Sequence, residues 1–146
     1  MKITSIEAGA LYTPLHRPFK TALRTVETVQ SVIVTVRTDD GVCGYGEAPP
    51  TAVITGGTME SIAAAVRGCI APALQGGDPE QLDELFARLD GCMVHNTSAK
   101  AAVDMALYDL YGKILDRPLY RLLGGRRPCI EVGGQAVLGR QQWAPT

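Results

Sequence analysis

The residues best suited to chemistry lie in one short stretch, Phe19-Lys20-Thr21-Ala22-Leu23-Arg24-Thr25, where two cations sit among hydroxyls and an aromatic. An arginine in such a loop can clamp a carboxylate through two parallel N–H···O bonds. A second stretch, Ala48-Pro49-Pro50-Thr51-Ala52-Val53-Ile54-Thr55-Gly56-Gly57, is small, stiff and uncharged, which suits closing over a bound molecule. The remaining candidate motifs fail on their context. Gly41-x-x-Gly44-x-Gly46 has the glycines of a phosphate loop. A dinucleotide fingerprint, however, passes from strand to helix, so that backbone N–H groups and the helix dipole meet the phosphate. Here the glycines run along a strand into Pro49-Pro50, and close backbone packing is the better account. No G-x-x-x-x-G-K-[ST], H-E-x-x-H or G-x-S-x-G occurs, and His16 and His95 have no sequence-near partner, which leaves each a surface or loop role. Asp104 and Asp109, five apart, do not share a helix face. Cys43, Cys69, Cys92 and Cys129 lack zinc-site spacing and read as reduced, mostly buried thiols. Neither a catalytic set nor a metal site is complete in these motifs.

The elements that must position the two stretches come as strands first, then helices. Residues 2–12 alternate as an imperfect strand, after which Pro14 and Pro18 bracket a loop from Thr13 to Thr28. Val32, Val34 and Val36 point one way and Ser31, Ile33, Thr35 and Arg37 the other, the pattern of a half-buried strand. Asp40-Gly41 reverses the chain, and Val42–Glu47 returns antiparallel until Pro49-Pro50, which cannot donate to a ladder. From Thr58 to Leu115 the period is helical. Thr58 caps a first helix with the stripe Met59, Ile62, Ala63, Val66, Ile70 and Ala73, which Pro72 should bend or end. Asp78-Pro79-Glu80-Gln81 starts a second, with Asp78 as cap and Pro79 at its first position. A third opens at Asn96-Thr97-Ser98, where a capping role is preferred to the glycosylation sequon the residues also spell. Its apolar stripe runs Ala99, Ala102, Val103, Ala106, Leu107, Leu110, Tyr111 and Ile114, small at the start so that a neighbouring backbone can approach. Leu122-Leu123-Gly124-Gly125 ends the helical region, and only Ile130–Val132 beyond it suggests a strand. The fold class is α+β: a three-stranded antiparallel meander followed by about three helices.

Composition narrows the function classes. At 146 residues, 46% hydrophobic and 20% charged, the chain is one globular domain rather than a disordered segment. A net charge of −1 argues against a dedicated nucleic-acid binder. No apolar run approaches the roughly 20 residues of a membrane span, and the N-terminal MKITSIEAGALYT has no signal-peptide core, so a cytoplasmic protein is expected.

Five strings carry a resemblance: GYGEAPP, KTALRTV, PPTAVITGGT, NTSAKAAVDMALYDLYGK and LYRLLGG. Together they resemble the enolase superfamily. More narrowly they are similar to the N-terminal capping domain of dipeptide epimerases of the L-Ala-D/L-Glu type, within the muconate-lactonizing subgroup. The likeness spans residues 1–126, while 127–146, with CIEVGGQAVLGRQQWAPT, read as the start of a truncated or aberrant barrel region. The resemblance implies a lid over a (β/α) barrel, with Phe19–Val26 and Ala48–Gly57 closing on the barrel mouth. It implies that Arg24 pairs with the carboxylate of the dipeptide's Glu residue, that Ile54 and Thr55 line the same pocket, and that Phe19 walls it.

It also implies 1,1-proton transfer at the Glu α-carbon, with Mg²⁺ holding the enediolate charge and one lysine on each face as acid and base. In that family those groups come from barrel strand ends. None of Lys2, Lys20, Lys100 and Lys113 falls in a K-x-K motif. The expectation is therefore a chain that binds no catalytic metal and is inactive alone, its partners being the dipeptide and the missing barrel. A stand-alone, non-catalytic α+β binding or interaction module is the alternative. The stripe Ala99–Ile114, left partly uncovered without a barrel, would favour self-association. Phosphate or nucleotide binding through the glycines is a third, weaker idea.

Overall fold

The computed structural model describes residues 1–20, 22 and 25–127. Strands β1 (Ile3–Lys20), β2 (Thr25–Thr38) and β3 (Cys43–Ala48) form one antiparallel sheet in the order β1-β2-β3. Helices α1 (Ala52–Thr55), α2 (Met59–Ala65), α3 (Ala71–Leu74), α4 (Leu82–Gly91), α5 (Thr97–Ile114) and α6 (Leu119–Leu122) follow, with a π-helical turn, Val66–Ile70, joining α2 to α3. The architecture is α+β.

One sheet face meets the helices. Val32, Val34 and Val36 of β2 and Ile3, Ile6 and Ala8 of β1 are buried against Ile62, Val66, Ile70 and the inner side of α5. Close approach is made possible by Gly44 and Gly46. A Cβ on Gly44 would lie 2.7 Å from the Cβ and 2.8 Å from the nitrogen of Leu110, and closer still to the Ala106 carbonyl oxygen. One on Gly46 would lie 2.9 Å from the Ala102 carbonyl carbon and 3.0 Å from the Ala106 nitrogen. The glycines of β3 and the small residues of α5 are thus two halves of one backbone-to-backbone contact. Two polar clasps fasten it: the Tyr45 N–H donates to Asp109 Oδ2 at 2.8 Å, and Lys113 Nζ to the Cys43 carbonyl at 2.9 Å.

The helix stripe expected to need a barrel is satisfied inside the domain. Ala99, Ala102, Val103, Ala106, Leu107 and Leu110 are all 1% exposed or less, and Tyr111 and Ile114 are half-buried. The sheet reaches the helix because its glycines carry no side chain in between.

Several expected boundaries move. Pro14 and Pro18 do not open a loop; β1 runs through both, with a register shift between Pro14 and Phe19. An edge strand tolerates proline because the missing N–H can fall on its unpaired side. Pro72 does end its helix, though not at once. The preceding turn widens, the Ala71 N–H reaching back five residues to the Val66 carbonyl, and the helix ends at Leu74. Asp78-Pro79-Glu80-Gln81 is a turn before α4 rather than its first turn, because the Asp78 carboxylate accepts from the Glu80 N–H and its carbonyl from the Gln81 N–H. At α5, Asn96 is the N-cap residue but supplies no side-chain cap. It stands at φ 50°, next to His95 at φ 58°, and its amide donates back to the Val94 carbonyl. Thr58 does cap, in a reciprocal box with Ser61. Of the cysteines, Cys43 and Cys92 are half-buried and Cys69 is exposed on the π-helical turn, so the described thiols are not core residues. Cys129, the suggested strand Ile130–Val132 and residues 128–146 as a whole lie outside the described residues.

Candidate functional site

The two chemically interesting stretches meet because β3 is shorter than the hairpin beside it. β3 pairs with β2 only as far as Val32 opposite Ala48, where Pro49-Pro50 ends the ladder. Beyond that point β1 and β2 continue alone as a two-stranded ribbon, Leu11 opposite Ser31 through Lys20 opposite Thr25. The loop of the sequence reading is therefore mostly ribbon. The chain leaving β3 folds along the ribbon's open side, and Thr25–Gln30 with Pro49, Pro50 and Thr51 line an open cleft of about 580 Å³.

Phe19 is half-buried on the ribbon, opposite the cleft residue Val26. Ile54 and Val53 project from α1 at 78% and 80% exposure. Thr55 turns the other way. Its hydroxyl donates to the Thr51 carbonyl at 3.2 Å and lies 2.9 Å from the Thr51 hydroxyl. It also borders a second concavity, about 400 Å³, lined by Gly56, Gly57, Ser61, Ile62 and His95–Ala99. Arg24 lies outside the described residues, as do Thr21 and Leu23; the described residue next to it, Thr25, borders the first cleft. Sequence reasoning missed Thr51, whose spacing of four from Thr55 is the visible signal for a hydroxyl pair on one helical turn. It also missed Arg67, which reaches from the π-helical turn to the Ala8 carbonyl at 2.6 Å and ties the helix to the edge of β1.

Glu27 is the one ionisable residue lining the first cleft among those described. Elsewhere, burial and then the neighbouring Asp90 charge push the Asp104 carboxyl above its ordinary value. The hydrogen bond from the Thr38 hydroxyl holds the Asp40 carboxyl below its own. His16 is exposed on β1 and His95 exposed before α5. Lys100 donates to the Asp90 carbonyl at 2.8 Å, and Lys113 is paired with Asp109 at 2.6 Å, so both serve the fold. Among the described residues no three His, Cys, Asp or Glu side chains converge to hold a metal ion, and no helix is long and apolar enough to cross a membrane.

Comparison with known proteins places these features. Residues 5–124 match the model of the mandelate racemase / muconate lactonizing enzyme N-terminal domain. The chain is 48% identical over 131 residues to an L-Ala-D/L-Glu epimerase of Clostridium acetobutylicum, covering 90% of this chain and 37% of that one. It superposes on a substrate-liganded L-Ala-D/L-Glu epimerase of Bacillus subtilis with a TM-score of 0.79 at 47% identity, covering 84% of this chain and 34% of that structure. A dipeptide epimerase of Enterococcus faecalis, complexed with Mg and the dipeptide L-Leu-L-Tyr, matches with a TM-score of 0.79 at 36% identity, over 86% of this chain and 35% of that one. The chain therefore spans little more than a third of the length of these relatives.

Proposed function

The chain belongs to the mandelate racemase / muconate lactonizing enzyme family through its N-terminal domain, and from that premise we propose that it forms the specificity lid of a dipeptide epimerase. The reaction so served is 1,1-proton transfer at the Glu α-carbon of L-Ala-Glu. The observation that carries the reading is the cleft between the Thr25–Gln30 ribbon edge and Pro49-Pro50-Thr51, flanked by outward-facing Val53 and Ile54. On this reading residues 1–126 are the capping domain. Arg24, Phe19 and Ile54 face the substrate side, with Arg24 binding the Glu side-chain carboxylate, while Thr55, turned back onto Thr51, supports the turn that carries Ile54. The ribbon and α1 cover the bound dipeptide, exclude water and orient it by its two side chains.

The described residues do not fit the Mg²⁺ found with relatives such as the Enterococcus enzyme, since no set of ligands converges among them. Nor do Lys100 and Lys113 fit as acid and base, being held by Asp90 and Asp109. No proton-transfer step is assigned to these residues, and the 146-residue polypeptide alone is expected to be inactive. The test has two arms. Purified chain with Mg²⁺ should not exchange the Glu α-proton of L-Ala-L-Glu in D₂O. Residues 1–124 grafted onto the remainder of the Bacillus subtilis relative should restore that exchange. In the graft, Arg24→Met should raise KM for L-Ala-L-Glu about 10- to 100-fold, the loss of one charge-assisted contact, and much less for a dipeptide with a neutral second residue. An active lone chain, or an indifferent Arg24→Met, would overturn the reading.

The closed core favours one alternative, a stand-alone binding module, because the α5 stripe is buried without any further domain. A graft that fails while the lone chain is a stable monomer by light scattering supports that alternative.

A further inference from the structure

We propose that Thr51 and Thr55 are positioning residues whose paired hydroxyls hold the Ala52–Thr55 turn closed, so that Val53 and Ile54 stand ready as a preformed apolar contact for the dipeptide; this rests on the lid reading above.

A single helical turn has no business standing alone in water, because nucleation fixes several residues for one hydrogen bond. α1 has four residues and buries none of them, so packing does not hold it. Its backbone bonds converge on one atom: the N–H groups of Ile54 and Thr55 both donate to the Thr51 carbonyl oxygen at 2.8 Å. The Gly56 N–H closes the turn onto the Ala52 carbonyl at 3.1 Å, with Gly56 at φ +75°, a conformation open to glycine at little cost. Side chains complete the ring. The Thr55 hydroxyl donates to the Thr51 carbonyl at 3.2 Å. The 2.9 Å contact between the Thr51 and Thr55 hydroxyls, in which either oxygen can donate, joins the two side chains. The Gly57 N–H adds a further bond to the same Thr55 oxygen at 3.4 Å. The hydroxyl pair thus staples the first residue before the turn to its last.

The consequence is directional. With Thr51 and Thr55 bonded to each other, the two large apolar residues between them face solvent at 80% and 78% exposure. A free nine-residue loop would let them collapse onto the domain. The staple stops that, so the lid meets its ligand with the contact already ordered, and less conformational freedom is lost on binding.

The test reads the turn in the 146-residue chain without any substrate. Amide hydrogen exchange at Ile54, Thr55 and Gly56 is measured by NMR in the wild type, Thr51→Val and Thr51→Ser. The wild type should exchange more slowly than a free chain. Thr51→Val, the same shape without the hydroxyl, should speed those amides about five- to tenfold, and Thr51→Ser should restore them, with the global melting temperature unchanged. Wild-type exchange at free-chain rates, or a Thr51→Val profile like the wild type, overturns the staple. In the active graft, Thr51→Val should raise KM for L-Ala-L-Glu several-fold with kcat little changed, and Thr51→Ser should reverse it. An unchanged KM beside accelerated exchange overturns the positioning role alone. An inactive wild-type graft overturns the lid reading instead, and leaves the exchange result standing as a property of the turn.

Discussion

Gly46→Ala isolates the contact that lets this domain close its own core. An added Cβ would lie 2.9 Å from the Ala102 carbonyl carbon and 3.0 Å from the Ala106 nitrogen, and nearer still to the Ala102 oxygen. Every one of these atoms is helix backbone, so no rotamer change relieves the clash. The helix must retreat by about 1 Å or more, and a radial gap of that size forfeits up to about half of each dispersion contact along it. The contacts at risk are those of Ala102, Ala106 and Leu110 with the sheet, together with the Tyr45–Asp109 and Cys43–Lys113 clasps. Overpacking of this kind costs about 1–3 kcal/mol and sometimes more. The gain from replacing glycine within a strand, about 0.5–1 kcal/mol, offsets part of it. With the obstacle being backbone the cost lies at the upper end, and the net expectation is a loss of about 2 kcal/mol, read from urea unfolding followed by circular dichroism with linear extrapolation. Gly91→Ala is the control: it ends α4, an added Cβ there meets nothing within 4 Å, and a gain of about 0.5–1 kcal/mol is expected. A Gly46→Ala protein within about 0.5 kcal/mol of the wild type would refute the idea that backbone approach, rather than mere smallness, explains the glycines.

Three further outcomes follow from single contacts. Thr58→Ala removes the capping box with Ser61 and should lower stability by about 1 kcal/mol, while Thr58→Ser should hold it, by the same urea assay. Asp109→Ala strands the Tyr45 N–H and leaves the Lys113 ammonium only the Cys43 carbonyl; it should cost about 1 kcal/mol and accelerate Tyr45 amide exchange, whereas Lys113→Met removes the bonds to Asp109 and to the Cys43 carbonyl but leaves the Tyr45 amide bonded and its exchange unchanged. Asp104→Asn should stabilise at neutral pH. Burial and Asp90 raise the native Asp104 pKa above 3.8, so the native state holds its proton where the unfolded chain has lost it. Stability of the wild type therefore falls as pH rises from 3.8 through that higher value, and the advantage of Asn is full above the window and vanishes below it. Paired thermal melts between about pH 3 and 7 read the difference, and a pH-independent gap would refute the cause.

What was legible in the sequence followed from periodicity and from groups whose chemistry is local. The valines of β2, the Asp40-Gly41 reversal, the Thr58 cap and the α5 stripe all depend on neighbours a few residues away, and all appear where the spacing puts them. The errors arose where a local signal met a distant partner. Pro14 and Pro18 look like loop residues until the strand they occupy is known to be an edge. Asn96 looks like a cap until its side chain is found bonded to Val94. At the site the limits are of the same kind. The two stretches could be singled out by residue type, but their meeting depends on β3 being shorter than the ribbon, a property of the sheet and of neither stretch.

Large apolar side chains are exposed in several places, Val94 before α5, Met105 on it and Leu123 after α6 among them, and one group of them borders the cleft. Around the sheet rows paired with β3, the large aliphatic side chains facing the helices are almost all buried, and edge groups are clasped by Arg67, Asp109 and Lys113. Beyond Val32 the logic reverses. Leu11, Tyr12 and Val29 on the ribbon and Val53 and Ile54 on α1 are left exposed on the two segments that flank the cleft. A two-stranded ribbon is marginal in water by itself, so it draws its order from the sheet at its base. Exposed aliphatic side chains at such a place cost solvation, with burial of each worth about 1.5–3 kcal/mol once something covers it. A fold built for independent stability would bury these side chains or replace them with polar ones. Keeping them outward, with Thr51 and Thr55 holding α1 in shape, fits a surface whose apolar contacts are completed by a bound molecule and the body beneath it. If the proposed lid role holds, the packed part of the domain would hold the cleft segments at a fixed spacing, and substrate choice could be tuned in the ribbon and α1 without disturbing the glycine-to-helix contact that keeps the domain folded.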